Sequence, residues 1–517
     1  MELIKRNIHM ERQKCKASTQ ITLEDDINIS DARPDASLLI MDRGNVVIDE
    51  VKVTQDHVTV KGKLEVSMLY LVDGRRGDVA SMDATLPFEE TLYVEGMESG
   101  DAAQVTWEVE DLKTGLINSR KCSVQSLLRL TVCCEEMKDE EIAVELISSE
   151  PVEFRKRTME IAAAVIKKKD VFRIKEEVEI PGSFPNIFSM IYRDIKPADV
   201  EFKVLSDKIT VQGEIRAFFL YRGEGEEEEI CHYETAIPFA GSIDCMGANE
   251  GMIPEIRCQA EASEVAVRPD FDGEERVIGF ELSLNLDICV YEEANVELLS
   301  DVYGVVNEVS VVEREAVFRK LHLRSNGKLK LAEHIPAKEG AQLVRILHTG
   351  GEVHIFSQEL SEAGTLINGC VEVKILYEDA GEEEKYGMLK QSLPFQYILE
   401  TEAVKGGFLY PVQVDVQQLT ATILDGEGVD IKCVLYFRAN VYREWKEKII
   451  EQVNVKELDG EKMAALPGIA VYMVREGESL WDIGKRYYVP VSVLKQTNDL
   501  TSDEVKCGDR ILIVKNR

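Results

Sequence analysis

The sequence predicts a mainly β protein: three repeated antiparallel, sandwich-like modules, then one small βααβ domain. Three observations carry this. A frame of Gly, Tyr, Gly and Pro-Phe recurs three times in fixed register. Alternation with a period of two, the mark of half-buried strands, dominates the first 460 residues, where helical spacing is scarce. Helical spacing first becomes clear after Ser479.

The frame begins at Gly62, Gly213 and Gly369. A tyrosine follows eight positions later (Tyr70, Tyr221, Tyr377) and a second glycine four beyond it (Gly74, Gly225, Gly381). Pro87-Phe88, Pro238-Phe239 and Pro394-Phe395 then fall at one shared spacing. In the first strand of copy one, Leu64, Val66, Met68 and Tyr70 alternate with Lys63, Glu65 and Ser67. Ile215, Ala217, Phe219 and Tyr221 hold the same phase in copy two, and Val371, Val373, Ile375 and Tyr377 in copy three. A one-residue slip would expose all four, so this face is expected in the core. The second glycines are expected to take positive φ at hairpin tips.

In chain order, residues 1–150 form the first module, with short strands at Ile21–Leu23 and Val46–Ile48, a turn at Asp31–Asp35, and a closing strand through Leu128, Leu130 and Val132. Residues 151–310 repeat the plan. They open on the basic stretch Arg155–Lys169, in which Ile161–Ile166 reads as a strand or a short helical turn, and close through Leu282, Leu284, Leu286, Ile288 and Val290. Residues 311–460 form the third copy, closed by Ile431, Cys433, Leu435, Phe437, Ala439 and Val441. Joined in a row, the copies suggest an elongated scaffold.

Charge sets the body apart: 95 acidic against 61 basic residues, net −34, which disfavours nucleic acid and anionic lipid as partners. The stretch 467–517 is about +1, which implies a separate task for it. Eleven cysteines are scattered without a CxxC, a pattern that suits reduced thiols inside a cell. Cys133 and Cys134 are neighbours, and a core or strand-edge role fits them better than redox chemistry. Residues 1–16 carry no signal-peptide pattern, and no run reaches the roughly 18 apolar residues of a membrane helix, so direct membrane insertion is not expected.

In the last module, Tyr472–Val474 reads as a strand, and Ser479 with Asp482 has the form of a capping box. Leu480, Ile483, Gly484 and Tyr487 make one helical face. Pro490 interrupts, Val491–Thr497 supports a second short helix, Asn498 suits a left-handed helix end, and Ile511–Val514 is a final strand. Tyr-x-Val, Gly-Glu-Ser-Leu-Trp-Asp-Ile, Lys-Arg-Tyr, Asn498 and Gly-Asp-x-Ile-Leu-Ile-Val together resemble a LysM domain. That resemblance implies an N-acetylglucosamine-glycan groove lined by Gly477, Glu478, Ser479, Leu480, Asn498, Asp499 and Leu500. Cys507 replaces a proline common in the family, and Gly484 a small Ala, a change expected to loosen the helix by about 1 kcal/mol.

With this module last, the repeats resemble SPOCS domains, and the whole order is similar to the SipL-like spore coat morphogenetic proteins of clostridia. The resemblance implies a mother-cell adaptor at the forespore surface whose LysM domain docks the coat basement-layer ATPase, SpoIVA, with other coat proteins as further partners. Trp481 either packs beside the module's core or anchors a partner at the surface, with Lys485, Arg486 and Arg475 as a basic cluster around it.

Catalytic constellations are missing. The seven histidines are dispersed with no H-x-x-x-H, and no G-x-S-x-G or P-loop motif occurs, so neither enzyme chemistry, metal nor cofactor is expected. Glu226–Glu229 reads as a solvated hairpin tip rather than a calcium loop. Two functions remain: a non-enzymatic sporulation scaffold, and a binder of peptidoglycan-type glycan.

Overall fold

A computed structural model describes residues 1–225, 229–262, 265–337, 341–361, 364–381, 384–400, 407–409, 412–424, 428–458 and 467–515. The expected tip residues Glu226–Glu228 lie outside this set.

The first unit pairs β2 (Ala36–Thr54), β3 (His57–Val72) and β4 (Val79–Tyr93) in one antiparallel sheet. A second sheet holds β1 (Glu2–Asn28), β6 (Lys121–Ile147) and β5 (Ala103–Asn118), in that order. The second unit repeats this with β8 (Ile187–Leu205), β9 (Lys208–Gly223) and β10 (Ile230–Asp244) against β7 (Val152–Glu179), β13 (Glu275–Gly304), β11 (Ile253–Ala262) and β12 (Ala266–Pro269). The third sets β15 (Leu343–Ser361), β16 (Gly364–Asp379) and β17 (Tyr386–Leu399) against β14 (Asn307–Pro336), β20 (Gly428–Glu457), β18 (Gly407–Leu409) and β19 (Gln413–Leu424). Ile161–Ile166 belongs to strand β7.

Each pair of sheets encloses its own core, and the alternating residues of the frame fill it. Leu64, Val66, Met68 and Tyr70 are fully buried, as are Ile215, Phe219 and Tyr221, and Val371, Val373 and Ile375. The frame itself has a steric cause. Gly62, Gly213 and Gly369 pair across the strands with Phe88, Phe239 and Phe395. A Cβ at these glycines would come within 2.8, 2.9 and 2.7 Å of the ring, so each phenylalanine lies over a bare backbone. The prolines sit beside them on β4, β10 and β17, edge strands, the sheet position at which proline is best tolerated. Gly74 takes φ of +70°, but Gly225 does not enter the left-handed region, so the shared spacing there does not preserve one turn type.

The units are not strung out; the expected elongated scaffold is corrected by three shared cores. Ile40, Leu69 and Leu71 of the first unit meet Ile191, Phe218 and Leu220 of the second and Leu347, Leu376 and Tyr386 of the third. The closing hairpins run past their sandwiches as arms that pack together: Ile8, Met10 and Ile142 against Met159, Ile161 and Leu298 and against Phe318 and Ile449. A further cluster joins Ala143 and Leu146 to Val302 and to Val309 and Ile450. Burying these faces leaves each unit dependent on the other two.

Charges close the ring. Arg43 donates to Asp194, Lys196 reaches Glu352 at 3.2 Å, and Lys374 reaches Asp42 at 2.6 Å, linking units one to two, two to three and three to one. Burial would raise the Asp194 carboxyl, but Lys196, Arg43 and a hydrogen bond from His348 hold it below its ordinary value. No helix among the described residues is long and apolar enough to cross a membrane.

Candidate functional site: the C-terminal module and its dock

The last module is β21 (Ile469–Met473), α1 (Leu480–Tyr487), α2 (Val491–Thr497) and β22 (Arg510–Val514), with the two strands antiparallel. Ser479 caps α1 as the sequence implied: its backbone N–H donates to Asp482 at 2.8 Å, and the Asp482 N–H bonds back to its hydroxyl. Leu480, Ile483 and Leu494 fill the core with Val474, Ile511 and Ile513. The left-handed residue after α2 is Asp499, with φ of +52°, not Asn498, whose φ is −110°.

Asn498 instead joins α2 to β22. Its Nδ2 donates to the Leu494 and Leu512 carbonyls at 2.8 Å each, and its Oδ1 accepts the Leu512 N–H at 2.6 Å. Glu478 accepts from the Tyr472 hydroxyl at 2.7 Å and from Arg486 at 2.7 Å. The Tyr472 bond, followed by the Arg486 bond working against desolvation, lowers its carboxyl to about 2. Leu480 is wholly buried in the core, whereas Leu500 is half-buried and packs against it. Of the seven groove residues expected from the resemblance, Gly477 and Asp499 face solvent, while Glu478, Ser479 and Asn498 hold the module's own bonds.

Of the two readings left open for Trp481, packing or a surface anchor, packing holds, and Lys485 of the basic cluster is engaged within the chain beside it. Trp481 is 9% exposed and donates its indole N–H to Asp301 at 2.8 Å, at the far end of β13. Lys485 pairs with the same carboxylate at 2.7 Å. Tyr303 meets the indole edge-on, with ring centroids 4.8 Å apart, and donates its hydroxyl to the Val489 carbonyl at 2.9 Å. Arg155 of β7 covers the indole from 5.5 Å. Burial would raise Asp301, yet the bonds from Lys485 and Trp481 prevail and hold it below the ordinary carboxylate range.

Gly484 explains how the helix comes so near. A Cβ there would lie 2.6 Å from the Tyr303 hydroxyl and 2.7 Å from the Val489 carbonyl oxygen. The glycine is therefore a requirement of the dock rather than a loosened helix. Arg475 stays exposed, and Arg486, also exposed, turns to Glu478 and Tyr472. Sequence reasoning missed Asp301, Tyr303 and Arg155, which lie in another module and carry no local motif.

Among the described residues one surface of the module is open. Ile469, Val471 and Met473 alternate along the outer face of β21 at 69%, 66% and 58% exposure, paired with Val514, Leu512 and Arg510. Between the second and third units lies a cleft of about 860 Å³. Along its lining Arg216 pairs with Asp199, Arg438 with Asp415, and Lys196 lies 3.7 Å from Asp194. Among the described residues no group of His, Cys, Asp and Glu is arranged to hold a metal ion.

Residues 35–117, 186–268 and 342–424 match the family described as SipL, SPOCS domain, and residues 472–514 match the LysM domain. No curated protein and no solved structure matches the chain. The SPOCS matches fall on the three units and contain the Gly–Tyr–Gly–Pro-Phe frame of each. The chain is therefore a SipL-type protein, three SPOCS domains followed by a LysM domain, related to sporulation and carrying a module of the peptidoglycan-binding class.

Proposed function

We propose that this protein is a non-enzymatic adaptor of spore coat assembly, working in the mother cell at the forespore surface, in which the LysM module docks the coat basement-layer ATPase of the SpoIVA kind. The observation that carries this reading is the outer face of β21: Ile469, Val471 and Met473 alternate along it, exposed among the described residues. Aliphatic strips of this kind suit the core of a protein interface. Sugar recognition instead asks for free hydrogen-bonding groups, and here Asn498, Glu478 and Ser479 already bond within the module. The dock on Asp301 then fixes the direction in which the strip faces relative to the three-unit body.

The second reading, a glycan binder, rests on the LysM match itself. One titration series on the full chain separates the two, against the coat ATPase and against a chitin oligomer. Val471→Asp puts a charge on the open strip without touching the core, and is expected to weaken ATPase binding more than tenfold while leaving the melting curve unchanged. Tight chitin binding with no measurable ATPase binding would reverse the ranking.

A further inference from the structure

At one place the three closing hairpins are built alike, and only the first copy departs in chemistry. Each hairpin carries a bulge where it leaves its sandwich and becomes an arm: Lys14, Val165 and His322 are the extra residues. Just inside the bulge, copy two pairs Ile166 with Val290, and copy three pairs Leu323 with Val441. Copy one pairs Cys15 with Cys134. An aliphatic pair in two copies has become two thiols in the third.

The two cysteines face each other. Both belong to the first unit's core, at 8% and 2% exposure, and they are direct partners across the two strands. Directly opposed residues of an antiparallel pair have Cα atoms roughly 4.5–5.5 Å apart. That separation falls inside the range a disulfide spans. Cys133, on the opposite face, points instead to Gln104.

We propose that Cys15 and Cys134 form a cross-strand disulfide when the protein meets a low-molecular-weight disulfide such as oxidised glutathione. Cys15, the more accessible thiol, loses its proton to solvent and attacks one sulfur of the oxidant, releasing one thiolate. Cys134, deprotonated in turn, attacks the Cys15 sulfur of the mixed disulfide and releases the second. The two protein thiols are oxidised, and the oxidant is reduced to two thiols. Burial pushes the Cys15 thiol up and Cys134 to about 11, so the reaction is slow and gains speed with alkalinity. The link would fasten β1 to β6 at the point where the hairpin passes into the shared arm core, holding the first arm in place.

The test incubates the full-length protein with oxidised glutathione at mildly alkaline pH, then alkylates free thiols after denaturation and maps the peptides. Exposed Cys507 acts as an internal reporter that the oxidant is active. The expected result is a linked peptide joining Cys15 to Cys134, a raised melting temperature, and slower hydrogen exchange over residues 2–13. Cys134→Val, which copies the valine of the other two units, is expected to fold and to lose all three changes. A Cys507 adduct with Cys15 and Cys134 both still alkylated, or pairing of either with another cysteine, would overturn the proposal.

Discussion

Trp481 and Asp301 stand 180 residues apart in the chain and 2.8 Å apart in space, joined by an indole N–H donated to a carboxylate. The same carboxylate receives Lys485, so one acidic residue of β13 holds two side chains of α1. Hydrogen bonds to a charged group contribute roughly 1.5–3 kcal/mol each. Asp301→Ala is therefore expected to release the LysM module while the three-unit body keeps its melting temperature. Hydrogen exchange should rise in residues 299–304 and 480–489 together. Unchanged protection at both segments would show that the dock does not depend on this carboxylate.

Gly484→Ala reverses an ordinary sign. In an exposed helix interior the change stabilises by about 1 kcal/mol. Here the added methyl would meet the Tyr303 hydroxyl and the Val489 carbonyl, both well inside contact distance. The variant should lose the dock, read as increased exchange at Tyr303. A melting curve raised with the dock intact would refute the steric account.

Acid and alkali should strain different contacts. The folded Asp301 carboxyl lies below its unfolded value, so its contribution is complete above roughly pH 4 and is lost as pH falls through the depressed folded value. His354 behaves in the opposite sense: its hydrogen bond to Glu108, between the third and first units, raises it. Its contribution is present below roughly pH 6.5 and is lost as pH rises through the raised folded value. Exchange followed across pH should show α1 loosening on the acid side and the contact between β15 and β5 loosening on the alkaline side. His354→Gln should abolish the alkaline change alone.

The sandwich faces were legible because a period of two ran unbroken through Leu64 to Tyr70 and its two copies. The arms were not. Before the bulge the inward residues of β1 are Ile8 and Met10; after it they are Cys15, Ala17 and Ile21, so the parity changes in mid-strand. A plain alternation count therefore reads residues 1–16 as patternless. The shared axial core did leave a sign, in the continuous apolar runs Met68–Val72 and Phe218–Tyr221. Runs of that kind mark strands buried on both faces. The capping box and both LysM helices followed from local spacing, whereas the partners of Trp481 belong to a strand end nearly two hundred residues away. Local pattern could place the indole on α1 but could not say what covers it.

Because the cores are shared, damage to one unit should not stay there. Phe218 faces away from its own sandwich and stacks on His348 of the third unit at 4.1 Å between ring centroids. Phe218→Ala removes a fully buried ring, at a cost of about 3–5 kcal/mol. Tyr221→Asp places an unpaired charge in the core of the second sandwich, where burial already pushes the tyrosine hydroxyl well above its ordinary value. If the units were independent, Tyr221→Asp would melt the second and leave the first and third at their original temperature. The three-way packing of Leu69, Phe218 and Leu376 predicts instead that each variant lowers one common transition of the whole body. Differential scanning calorimetry decides between them, and a surviving high-temperature peak accounting for the other two units would show that the shared cores add little to stability.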